Sequence, residues 1–131
     1  VIAGEITEAL EGRVRITVFG PTGRSLDVNA VIDTGFNGVL ALSSRHIADL
    51  QMPFQEKGLT MLGDGSVVEV EFYEGVVIWD GVDTVVSVEA QDGGALIGME
   101  LLEGYDLTMR VRPGGFVHIA PSPPEAADVA A

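Results

Sequence analysis

The chain contains no cysteine. That removes disulfide bridges, thiolate nucleophiles and cysteine-based zinc sites together, and it is compatible with a reducing compartment. Basic residues are scarce as well: 7 Lys and Arg stand against 20 Asp and Glu, leaving a formal charge of −13 on 131 residues. A phosphate-binding surface needs clustered Lys and Arg, so neither nucleic acid nor an anionic membrane is an expected partner. No apolar run approaches the roughly 18 residues a spanning helix requires. Val1-Ile2-Ala3-Gly4-Glu5 carries no basic-then-apolar targeting pattern, and the expected location is cytoplasmic. The two histidines, His46 and His118, have no carboxylate cluster at ligand spacing beside them, so no metal site is expected and no cofactor either. Ser43 and Ser44 near His46 lack a nucleophile elbow, and helix capping accounts for them.

What is present is apolar and turn-rich. Hydrophobic residues make up 47% of the chain and 17 glycines are spread between short Val-, Ile- and Leu-rich runs, the pattern of strands joined by turns. The length suits one domain, and the expected class is all-β with one or two short helices. Residues 1–12 read as a polar lead-in, 13–120 as the folded domain and 121–131 as a Pro- and Ala-rich tail.

Within the domain, Arg13 to Val18 alternates strictly, with Val14, Ile16 and Val18 inward. After a Gly20-Pro21-Thr22-Gly23 turn, Ser25 to Asp33 alternates again and places Asp33 at a strand end, where functional groups commonly sit. Val39 to Leu42 reads as a short buried strand, followed by a brief helix to about Leu50 capped by Ser43 or Ser44. Leu59–Leu62 and Ser66–Phe72 form a hairpin about Gly63-Asp64-Gly65, because Asp-Gly readily takes the positive φ of tight turns. Further strands are expected at Gly75–Trp79 and Thr84–Val88 about Asp80-Gly81, at Ala95–Ile97, and at Leu107–Val111 and Phe116–Ile119, with a short helix over Met99–Gly104.

The informative stretch is Val31-Ile32-Asp33-Thr34-Gly35-Phe36-Asn37-Gly38-Val39-Leu40, echoed downstream by Ala95-Leu96-Ile97-Gly98. An Asp-Thr-Gly tripeptide alone is weak, but here an apolar strand leads in and another leads out. With a glycine-rich hairpin between the two segments, the combination resembles the retropepsin-like aspartic proteases and their bacterial single-domain relatives, over roughly Arg13 to Ile119.

The resemblance implies a closed β-barrel or sandwich acting as a symmetric homodimer that cleaves a peptide or protein substrate. Asp33 would be the catalytic carboxylate, Thr34 the hydroxyl locking two active-site loops across the two-fold axis, and Gly35 the backbone beside substrate. Gly63, Asp64 and Gly65 would form the tip of a flap, though the same turn chemistry makes an ordinary hairpin. Leu96, Ile97 and Gly98 would line or underpin the cleft. Phe36 stands where that family usually carries a small residue, so it would fill part of the cleft or narrow the substrate range, and Asn37 would offer a polar contact to substrate backbone. Only one Asp-Thr/Ser-Gly occurs, so a second copy must supply the other carboxylate. The rival expectation is a catalytically silent dimerisation or peptide-binding module on the same fold.

Overall fold

A computed structural model describes residues 1–124. Ten strands and two short helices follow one another as β1 (Ile2–Ile6), β2 (Gly12–Phe19), β3 (Ser25–Ile32), β4 (Leu40–Leu42), α1 (Ser44–Asp49), β5 (Phe54–Met61), β6 (Val67–Trp79), β7 (Val82–Ala90), β8 (Leu96–Ile97), α2 (Met99–Leu102), β9 (Tyr105–Met109) and β10 (Phe116–Pro121). The tail expected over 121–131 falls largely on residues 125–131, outside those described.

The alternation in β2 and β3 sends Val14, Ile16, Val18, Val28 and Ala30 to one buried face, and a sheet with one long apolar face is stable only when that face is covered. Here the sheet covers itself. The ring β2-β3-β8-β4-β7-β6 closes where β6 returns to β2, with Val18 opposite Val77 and Phe19 opposite Val76. Closure removes the free edges those six strands would otherwise present over their paired lengths. Leu40, Leu42, Val77, Val88 and Ile97 fill the interior without measurable exposure. The all-β class, the closed barrel and the two short helices therefore stand as expected. The one buried charged side chain among the described residues, Glu89, accepts a hydrogen bond from the Gln91 side-chain amide.

Two expectations need correcting. The lead-in over 1–12 contains β1, which lies between β2 and β10 and pairs Ile2 with Ile119 and Glu5 with Arg13. Its pairing comes from a strand more than a hundred residues later, so local pattern does not announce it. The second is the break expected between Phe72 and Gly75: β6 runs unbroken for 13 residues. Gly75 marks a close approach, since a Cβ there would stand 2.7 Å from Met52 Cε, and a glycine inside a strand often has this meaning. Because β1 and β10 are both interior to the sheet, its outermost strands among the described residues are β5 and β9.

Candidate functional site

The Asp33 loop is built by threading. β8 lies parallel to β3, with Val31 opposite Leu96 and Ile32 opposite Ile97, and antiparallel to β4, with Leu40 opposite Ile97. The chain therefore leaves β3 at Ile32, passes over the end of β8 and returns as β4 on its other side. Asp33 N–H donates to Ile97 O at 3.0 Å and Val31 N–H to Ala95 O at 2.9 Å, fixing the way in.

The way out is held from α2. Gly98 N–H donates to Val39 O at 3.0 Å, Met99 N–H to Phe36 O at 2.8 Å and Glu100 N–H to Gly38 O at 3.1 Å. The first N–H groups of a helix have no partner within it. Gly98, the residue before α2, supplies no side-chain cap, and the loop's carbonyls take that role. A Cβ on Gly98 would collide with the Gly38 carbonyl oxygen and lie 2.8 Å from Phe36 Cδ2, which is the physical reason a glycine follows Leu96-Ile97.

The expected site residues separate into groups. The side chain of Asp33 is partly exposed, and its Oδ1 accepts from Gly35 N–H at 2.9 Å. Thr34, Gly35 and Asn37 are exposed around it. Phe36 is turned inward at 8% exposure, its ring against Gly38 and Gly98. Leu96 is half-buried and lines the same cavity of about 640 Å³ as Asp33, whereas Ile97 points into the barrel and underpins the loop.

Gly63, Asp64 and Gly65 sit at the turn between β5 and β6, where Leu62 N–H donates to Ser66 O at 2.8 Å and Gly65 takes φ +86°. None of the three lines the cavity that contains Asp33, so the two groups are not brought together in a single chain. Asp64 is tied to the turn itself: its Oδ1 accepts from Ser66 Oγ at 2.6 Å and Ser66 N–H at 2.8 Å. These bonds, the hydroxyl's first, hold its carboxyl below the ordinary 3.8. A carboxyl whose pKa is depressed by folding stabilises above its ordinary value and loses that contribution as pH falls through the lowered one. The turn is therefore expected to loosen below about pH 3.8, visible as reduced protection of the Ser66 amide relative to its intrinsic exchange rate at each pH, and to lose that pH dependence in Asp64→Asn.

Sequence reading missed a neighbour. Arg13 is opposite Val31, two positions before Asp33 on the same outward face, and it lines the cavity too. Its Nη2 holds Glu11 Oε1 at 3.0 Å and its Nη1 donates to the Asn29 carbonyl at 3.3 Å. The strict alternation of Arg13 and Arg15 with Val14 and Ile16 was the available signal. Gly93 and Gly94, with φ of +114° and +111°, also line the cavity, just before β8. Among the described residues no group of three His, Asp or Glu is placed to hold a metal, and no helix is long and apolar enough to cross a membrane. No family model matches the chain, and no curated protein matches it in sequence.

Proposed function

We propose that this chain is one half of a retropepsin-like aspartic endopeptidase, active as a symmetric homodimer in which each copy contributes Asp33. The observation that carries the reading is the Asp33 loop: one carboxylate, fixed by backbone bonds to Ile97 and Gly35, presented at the surface with Thr34 and Gly35 exposed beside it. A loop clamped this firmly but left open on its outer side suits completion by a second copy of itself.

In that dimer one carboxyl would be protonated and the other ionised, since two like charges at hydrogen-bonding distance repel. The ionised member takes a proton from a water molecule as its oxygen attacks the peptide carbonyl carbon. The protonated member donates to the developing oxyanion. Collapse of the tetrahedral intermediate breaks the C–N bond, with a proton passing to the leaving amine. Extended substrate would lie as an added strand, main chain to main chain, between the Asp33 loops and the β5–β6 hairpins.

The test is cleavage of a diverse peptide library from about pH 4 to pH 7, read by mass spectrometry over a range of protein concentrations. Activity per chain rising with concentration and then levelling is expected. Failure to cleave by protein shown to be dimeric favours the silent binding module. Thr34→Val keeps the side-chain volume and removes the hydroxyl. It is expected to weaken the dimer about tenfold by sedimentation, with activity recovered at higher protein concentration.

A further inference from the structure

β7 is paired along both sides for only part of its length. β6 runs beside it from Val82 to Glu89, but β4 reaches only Val88–Ala90. Over Val82–Ser87 one side of the strand has no neighbouring strand among the described residues. Which backbone groups face that side follows from the turn before it. Asp80 and Gly81, with φ of +50° and +80°, make a two-residue hairpin turn, and the residues closing such a turn exchange both their hydrogen bonds. Val82 therefore bonds Trp79, and alternation directs Thr84 and Val86 to β6 as well. The N–H and C=O groups of Asp83, Val85 and Ser87 are left pointing the other way. Further along the same strand direction, Gln91 N–H donates to Leu42 O on β4, in keeping with that parity.

Val82 and Thr84 to Ser87 line a groove of about 590 Å³ together with Leu101, Glu103 and Tyr105. Val82 and Val85 in its lining are 63% and 67% exposed, and Trp79, also in the lining at 5% exposure, has an indole N–H with no acceptor among the described residues. Among the described residues, Glu100 and Glu103 line the groove and no Lys or Arg does.

We propose that this groove is a second peptide-binding site, separate from Asp33, that takes an extended segment with alternating apolar and basic residues as an added strand on β7. Edge backbone groups give such a site its affinity and the flanking pockets its selectivity. Six residues of strand span about 20 Å, room for a peptide of similar length. The carboxylates decide the occupant. A second copy of the same edge would set Asp83, Glu100 and Glu103 against themselves, whereas Lys or Arg would be drawn in.

The probe is the blocked hexapeptide Lys-Val-Lys-Val-Lys-Val, with Glu-Val-Glu-Val-Glu-Val as its counterpart, titrated into the full chain carrying Asp33→Asn so that the probe stays intact. Trp79 is the only tryptophan, and its emission reports on the groove directly. Saturable binding of the basic peptide is expected, with amide shifts at Asp83, Val85 and Ser87 and at least about tenfold weaker binding of the acidic one at low salt. Val85→Pro removes an N–H on the open side, where proline is tolerated, and should weaken binding about tenfold. Glu100→Lys with Glu103→Lys should reverse the preference between the two peptides, and it keeps the test decisive if the proline variant misfolds. Undiminished binding by Val85→Pro of unchanged secondary structure, equal binding of both peptides, or shifts confined to the Asp33 loop would overturn the proposal. So would self-association through the same amides, or no saturation by about 1 mM peptide.

Discussion

Asp33→Asn is expected to lower peptide hydrolysis by about a thousandfold or more, because one substitution in the gene alters both members of the carboxylate pair and leaves no general base for water. The fold should be unaffected, since the side-chain amide oxygen of the variant can still accept from Gly35 N–H as Asp33 Oδ1 does. The more discriminating result comes from mixing. If one site needs Asp33 from each of two copies, adding an equal amount of the Asn variant to wild type and allowing exchange leaves about a quarter of the dimers intact. Activity then drops to about half that of the wild type alone, and excess variant drives it towards zero. A site complete within one chain would show no such inhibition, and equal cleavage by wild type and pure variant would place the chemistry elsewhere.

Gly98→Ala should have the largest effect on stability among single substitutions near the site. Gly98 has φ −99° and ψ 175°, an extended conformation open to any residue, so backbone freedom is not the reason it is glycine. The reason is space: the new methyl would strike the Gly38 carbonyl and the Phe36 ring, the two groups on which the Asp33 loop rests. Overpacking of this kind costs about 1–3 kcal/mol. Because the strain falls on the loop's own supports, activity should fall further than stability alone explains. Chemical denaturation with parallel kinetics would separate the two effects. Gly63→Ala is the matching control: a Cβ there meets nothing within 4 Å, so a stability change within about 0.5 kcal/mol is expected. A similar loss at both positions would remove the packing explanation for Gly98.

Much of the architecture could be read from local pattern. Val14, Ile16 and Val18 are buried as their alternation requires, and Ser43 accepts from the His46 amide at 3.2 Å, as a helix cap does. The Asp-Gly turns at Asp64-Gly65 and Asp80-Gly81 both carry positive φ at the glycine. Elsewhere boundaries shifted: β3 ends at Ile32, one residue before Asp33, α2 ends at Leu102 and β9 begins at Tyr105. Phe36 was legible as a bulky residue beside Asp-Thr-Gly. Its direction was not, because what turns the ring inward is the space above Gly38 and Gly98, and Gly98 lies 62 positions away in the chain.

The sequence by itself determined the period of strands such as β2 and β3, most of the places where the chain turns, and the position of one uncommon carboxylate between two apolar runs. These are consequences of residue type at short range: side chains alternate across a strand, and glycine permits positive φ. Tertiary structure alone decided that β8 passes between β3 and β4, that β1 takes its place between β2 and β10, and that β7 is left with an open side over Val82–Ser87. Backbone hydrogen-bonding groups are the same in every residue, so the choice of neighbouring strand is settled by which arrangement buries all the apolar faces at once.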